Sequence, residues 1–260
     1  MKKNQTVLIT GATSGIGFEL SNLFAKNGYN LVLVARNKTR LEKLANECKQ
    51  KFGVSTRTIS KDLSLPTSPM EIVDELLQNS FQIDILVNNA GFNVYGSFSE
   101  TDLNKELQMI NVNIVSLTHL TKLLLPGMIE RNKGKILNVG STGSFAPGVF
   151  NAVYCAAKAY VLSFSEAIAE ELKGTGVSVT TLCPGATKTE FAQRANMGEV
   201  KIFQGKLMEA KEVAQIGYNA LMNDKRTKIA GCSNNLTIFS LRFTPRNIVA
   251  KISKSIMSRR

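Results

Sequence analysis

Tyr154 and Lys158 stand four residues apart in a stretch, 152–173, whose apolar residues recur at helical spacing. Side chains at i and i+4 share a helix face, so the phenol and the ammonium can meet. A nearby ammonium stabilises phenolate, which predicts a tyrosine pKa drawn down from about 10 toward the working pH. A phenol tuned in this way donates a proton to a carbonyl oxygen that receives hydride, or takes one from an alcohol. Ser141, at the end of an apolar run, can hydrogen-bond that same oxygen. Taken alone, each has a plainer reading: a surface helix pair, and a serine that turns the chain at a strand end.

A second group of residues could hold a hydride carrier. Gly11-Ala12-Thr13-Ser14-Gly15-Ile16-Gly17 follows the run Val7–Thr10 and opens a helical stretch at 15–27. Glycines let the backbone turn tightly against a pyrophosphate, whose charge is favoured by the free N–H groups and positive end of the helix. The spacing G-x-x-x-G-x-G departs from G-x-G-x-x-G, and an ordinary Gly-rich turn is the alternative. The second run ends Val34-Ala35-Arg36-Asn37-Lys38. A cation there suits a ribose 2′-phosphate, where an NAD site offers an acid, so Arg36 predicts NADP(H). A solvated surface arginine is its alternative. Asp62-Leu63 follows the third strand candidate, in position to contact adenine.

Two kinds of element must position these residues. Val7–Thr10, Leu31–Ala35, Ile83–Val87, Lys135–Val139 and Val177–Cys183 are short and rich in Val, Ile and Leu, the pattern of strands buried on both faces. Ser55–Ser60 and Lys228–Ala230 are weaker candidates. Helical spacing marks 15–27, 38–52, 68–79, 101–125, 152–173 and 210–223. The alternation predicts an α/β fold: one Rossmann-like domain over residues 1–260, a doubly wound parallel sheet with helices on both faces. Substrate choice falls to the loops beyond the strand ends, namely Phe92–Phe98, Ser144–Val153 and a long connection at about 186–209 that reads as a lid. Its Phe191, Met197, Phe203 and Leu207 fit either an apolar, acyl-like substrate or packing of the lid onto the body.

With the glycine pattern, Asn88-Asn89-Ala90-Gly91 and Tyr154-x-x-x-Lys158 in this order, the chain over about residues 5–190 resembles the classical short-chain dehydrogenase/reductase family. The resemblance implies that Asn113, Ser141, Tyr154 and Lys158 form a catalytic tetrad, with the Asn113 amide directed toward a water that relays protons to Lys158. It implies that Asn89, Ala90 and Gly91 line the cofactor and that Pro184, Gly185, Thr187 and Thr189 form the nicotinamide side. It also implies a homodimer or homotetramer. Asn111, where many members have Asp, and Gly140-Ser141, in place of a common Ser-Ser pair, depart from the pattern without touching a tetrad side chain. His119 and Cys155 read as structural residues. Val161, Phe164, Ile168 and Leu172 form a stripe for the core or a subunit interface.

Composition bounds the partners. Lys and Arg number 32 against 20 Asp and Glu, but nine of the cations lie in 225–260, where there is no acid, leaving 23 against 20 elsewhere. A nucleic-acid footprint across the fold is therefore not expected. From Leu241, the residues Ile248, Val249, Ile252, Ile256 and Met257 recur at helical spacing among basic ones. This tail, about 240–260, predicts either a peripheral contact with an anionic membrane or docking on protein. One histidine excludes multi-histidine metal sites, so no metal is expected. Four cysteines without a C-x-x-C pair point to a reducing compartment. Lys2 and Lys3 precede an apolar run too short for a signal peptide, and no stretch reads as a membrane span, so the cytoplasm is expected. The functions consistent with these residues are an NADP(H)-dependent carbonyl reductase, a 3-oxoacyl thioester reductase, and a non-catalytic NADP(H)-binding regulator.

Overall fold

Strand β1 (Thr6–Thr10) is buried at every position, which is why its sequence is a continuous apolar run. The computed structural model describes residues 5–259; Lys2, Lys3 and the tail cation Arg260 lie outside the described residues. After β1 come α1 (Gly15–Lys26), β2 (Asn30–Ala35), α2 (Lys38–Phe52), β3 (Thr56–Ser60), α3 (Ser68–Gln78) and β4 (Ile85–Asn88). Then follow α4 (Leu103–Ile110), a π-helical segment (Asn111–Ser116), α5 (Leu117–Glu130), β5 (Gly134–Val139), α6 (Ala152–Glu171) and β6 (Val177–Cys183). The remainder holds β7 (Thr187–Lys188), α7 (Glu190–Arg194), β8 (Met208–Glu209), α8 (Ala210–Met222), β9 (Thr227–Ile229), α9 (Cys232–Ser240) and α10 (Arg246–Met257).

Seven strands pair in parallel in the order β3-β2-β1-β4-β5-β6-β9. Alternate residues of each strand face opposite ways, and this builds two cores. Val7 and Ile9 pack with Leu20 and Phe24 of α1, Leu41 and Leu44 of α2, and Val213 and Leu221 of α8. Leu8, between them in sequence, joins Val32, Leu86 and Ile136 against Ile72 of α3 and Leu120 of α5 on the other face. The chain runs outward from β1 through β2 to β3 and returns to place β4 on the other flank of β1. The crevice at that switch, outside the carboxyl ends of β1 and β4, is where open parallel sheets bind ligands.

The helix expected at 101–125 runs from Leu103 to Glu130 and is helical throughout, 28 residues long. By length and composition it could cross a membrane, contrary to the expectation that no stretch could. It lies on the sheet: Met109, Leu120 and Met128 are buried, and Asn88 of β4 donates to Thr121 at 3.1 Å. Helix α9 and the short β7–β8 pair carried no legible periodicity in the sequence.

Candidate active site

Gly11 and Gly15 have φ of +66° and +54°, a backbone region that favours glycine, and they turn the chain out of β1 into α1. The turn is held from the neighbouring strand. Asn89 Nδ2 donates to the carbonyls of Thr10 at 2.9 Å and Gly11 at 3.2 Å, while Thr10 Oγ1 accepts from the amides of Asn89 and Ala90 at 3.0 Å each. A Cβ at Gly17 would come within 2.3 Å of the Gly11 oxygen and 2.4 Å of Asn89 Nδ2, so only glycine fits. Ser14 takes the extended N-cap position of α1 without a side-chain cap, and Thr13, Ser14 and Ile16 stand half-buried on the turn. This is a backbone cradle at a helix N-terminus, and it fits a dinucleotide pyrophosphate. Asn89 acts here by bonding the cradle itself.

Arg36 is exposed just beyond β2 and makes no ion pair with a described residue. Beside it, Asn37 caps α2 by accepting from the Arg40 amide at 2.9 Å, and Arg40 pairs with Glu190 of α7 at 3.2 Å. Arg36 is thus the free guanidinium at this corner. Asp62 Oδ1 accepts from the Ser64 amide at 3.0 Å, and the Leu63 carbonyl accepts from Ser116 of the π segment at 2.7 Å.

The helix of twenty residues that carries Tyr154 and Lys158 contains neither Gly nor Pro and begins at Ala152. Lys158 is buried, its Nζ 5.8 Å from the Tyr154 ring centroid and donating to the Val139 carbonyl at 2.8 Å. Ser141 caps the 3-10 turn Thr142–Phe145, accepting from the Gly143 amide at 3.0 Å, and hydrogen-bonds with the Tyr154 phenol. Ser144 fastens this turn to α6 by donating to the Lys158 carbonyl at 2.8 Å. A Cβ at Gly91 would lie 2.7 Å from Asn113 Oδ1 and 3.5 Å from Lys158 Nζ, so Gly91 brings the two side chains to one point. Asn113, Ser141, Tyr154 and Lys158 therefore share one site.

Two expectations change here. Burial pushes the Tyr154 pKa up, and the hydrogen bond from Ser141 lowers it less than burial raises it. The direction is opposite to the expected drop toward neutral pH, because desolvation of a phenolate outweighs the Ser141 hydrogen bond. Lys158 moves instead, down to about 8, because its ammonium is buried. The Asn113 amide is also otherwise engaged: Nδ2 donates to the Phe92 carbonyl at 3.0 Å and Oδ1 accepts from the Phe92 amide at 3.3 Å. Its side chain clamps the Gly91–Phe92 loop, a contact that the resemblance did not imply.

The 186–209 segment, read from the sequence as a lid, lies against this cluster. The Phe191 ring lies 5.6 Å from that of Tyr154, tilted 55°. Thr189 caps α7 through the Phe191 amide at 3.2 Å, and its methyl carbon would be 2.9 Å from a Cβ at Gly15, so the lid base abuts the glycine turn. Pro184 accepts from the Thr142 amide at 2.8 Å, and Thr187 donates to the Gly185 carbonyl at 2.9 Å. The two readings of the lid's apolar residues divide by position. Met197 packs with Ala192, Ala195 and Val200, joined by Phe203, while Phe191 faces the phenol.

A sequence profile described as short chain dehydrogenase matches residues 5–199. The chain belongs to the short-chain dehydrogenase family. The chain is 37% identical over 192 residues to the very-long-chain 3-oxoacyl-CoA reductase of Rattus norvegicus, covering 72% of this chain and 60% of that one. The match thus spans less than two thirds of the rat protein. Ketoacyl reductase HetN of Nostoc sp. is 31% identical over 234 residues, 90% of this chain and 80% of its own. Among solved structures, a short-chain dehydrogenase from Sphingobium yanoikuyae in complex with NADPH superposes with a TM-score of 0.84 at 31% identity, covering 95% of each chain.

Sequence reasoning missed three amides that shape this short-chain dehydrogenase. Asn234 of α9 sits against Gly185, where a Cβ would meet its Nδ2 at 2.5 Å. Asn93 and Asn151 are buried and joined at 2.6 Å, linking the Phe92–Phe98 loop to the start of α6, and Asn93 also reaches Met197 of the lid at 3.0 Å. Isolated asparagines in loops carry no spacing signal.

Proposed function

We propose that this oxidoreductase is an NADP(H)-dependent carbonyl reductase in which Tyr154 gives the proton. The observation that carries the proposal is the cluster of Ser141, Tyr154 and Lys158, with the phenol beside the Ser141 hydroxyl and the Lys158 ammonium 5.8 Å from its ring. A bound nicotinamide supplies the hydride. Ser141 and Tyr154 together hold the carbonyl oxygen, and the phenol proton passes to that oxygen as charge builds on it. Lys158, anchored to the Val139 carbonyl, keeps a positive charge beside the phenol and favours the phenolate left behind. Asn113 fixes the Gly91–Phe92 loop beside Lys158. An acid–base cluster of this kind has no use in a purely regulatory binder.

For the cofactor, the unpaired Arg36 supports NADP(H) over NAD(H), and so does the NADPH in the Sphingobium structure. Two relatives bear the names 3-oxoacyl-CoA reductase and ketoacyl reductase, which favours a 3-oxoacyl thioester as a second reading of the substrate. The Phe191 ring over Tyr154 gives either substrate an apolar wall. We also assign it to the cytoplasm as a homodimer or homotetramer. Leu103 and Leu107 of α4 and Tyr160 of α6 are exposed apolar side chains that a subunit contact would cover. The test is a screen of ketones, aldehydes and 3-oxoacyl thioesters with NADPH and, in parallel, NADH. Turnover with NADPH carries the proposal; turnover with neither cofactor favours the regulator.

A further inference from the structure

Helix α10 presents two stripes. Val249, Ser253 and Met257 face inward: Val249 is buried, Ser253 Oγ accepts from the Val149 amide at 3.1 Å, and Met257 packs on the lid cluster. Ile248, Ile252 and Ile256 repeat every fourth residue one step around the helix, and all three are exposed, Ile252 by 49%. Helix α9 adds Leu236, 71% exposed, and the turn between the helices adds Phe243, 75% exposed and in edge contact with Phe239 of α9. Six large apolar side chains thus stand in water within twenty-one residues.

The charge that this C-terminal segment carries is of one sign. Arg242, Arg246, Lys251 and Lys254 make no ion pair with a described residue, and no acid occurs after Asp224. A second copy of this chain would bring the same cations to the contact, and like charges at an interface are costly. A surface that is fluid, apolar beneath and negative above answers both features.

We propose that α9 and α10 form a docking face for an anionic phospholipid surface, with Ile248, Ile252, Ile256, Leu236, Phe239 and Phe243 entering the acyl boundary and the four cations among the headgroups. The face lies beside the lid. Tyr95 donates to the Met257 carbonyl at 2.5 Å, the Lys201 amide to the Ser258 carbonyl at 3.2 Å, and Arg259 to the Asn196 carbonyl at 3.3 Å. A docked α10 thereby brings the rim of the active site to the lipid surface, where apolar substrates collect.

The test is flotation of the full chain with vesicles of phosphatidylglycerol mixed into phosphatidylcholine, and of phosphatidylcholine alone, at low and high salt. Three proteins are compared: the parent, Ile248→Ser with Ile252→Ser, and Lys251→Glu with Lys254→Glu. Circular dichroism and gel-filtration mass accompany each. The parent should float only with the anionic vesicles, and salt should release it. Each doubly substituted protein should partition at least about tenfold more weakly while keeping its fold and mass. Failure of the parent to float, flotation equal on both vesicle types, or flotation unmoved by both double substitutions overturns the proposal. So does a fall in solution mass on Ile248→Ser with Ile252→Ser, because a second subunit then covers the stripe.

Discussion

Lys158 Nζ donates to the carbonyl oxygen of Val139 at 2.8 Å, tying the ammonium of α6 to the last residue of β5 inside the fold. Burial has brought its pKa from 10.5 to about 8. Below pH 8 the folded and unfolded chains both hold the proton, and the folded chain bears the cost of a buried charge. Between 8 and 10.5 the folded chain releases it first, so stability rises with pH; above 10.5 the cost is gone. Lys158→Met removes this titration together with the hydrogen bond to Val139, so the variant should be inactive and its stability should lose the rise between pH 8 and 10.5 that the parent shows. Denaturant titrations of both proteins across this pH range check it.

Arg36→Asp should weaken NADPH binding by about 1.5–3 kcal/mol, the worth of a hydrogen bond to a charged group, and turn the preference toward NADH. Fluorescence titration with both cofactors reads the change. Equal affinities for both cofactors in the parent would remove Arg36 from the account.

Gly17→Ala drives a methyl group into the Gly11 carbonyl and the Asn89 amide, both parts of one bonded turn. The cost in stability should be about 1–3 kcal/mol, as for other overpacked sites, with NADPH affinity lost alongside. Gly198→Ala, where the same methyl group meets nothing within 4 Å, is the control and should leave both unchanged.

The parallel strands were legible because burial on both faces makes them unbroken apolar runs, as in β1 and β2. Edge strand β3 is buried only at Ile59, and its weaker sequence pattern reflects this. The Tyr154–Lys158 pair and the glycine turn were legible because spacing within one helix or one turn sets their geometry, whereas Asn113 and Ser141 were reached through the family resemblance. Three features were not. The π segment at Asn111–Ser116 lies inside a helix whose apolar period hides a widened turn. The direction of the Tyr154 shift depends on burial by Phe191 and the strand ends, which an i, i+4 argument does not contain. The bond of Asn113 to Phe92 joins the π segment to the loop after β4, a meeting set by tertiary packing and not by sequence spacing.

Phe191→Ala removes the ring that lies against Tyr154 and opens the apolar wall of the cavity. KM for bulky apolar ketones should rise roughly tenfold, as for the loss of hydrophobic pocket contacts, with a smaller change for small ketones. Steady-state kinetics over a size series of ketones reads the difference. An equal change across the series would place Phe191 outside the substrate wall.

The account rests on the phenol of Tyr154, and Tyr154→Phe removes its proton donor while keeping the ring against Phe191. The decisive measurement is the rate of NADPH oxidation by parent and variant on the same carbonyl substrate, beside NADPH titrations of both. The account predicts a fall in turnover of about 10²–10⁴-fold, the usual worth of a positioned acid, with cofactor affinity nearly unchanged. A Phe variant that reduces the substrate as fast as the parent would contradict it.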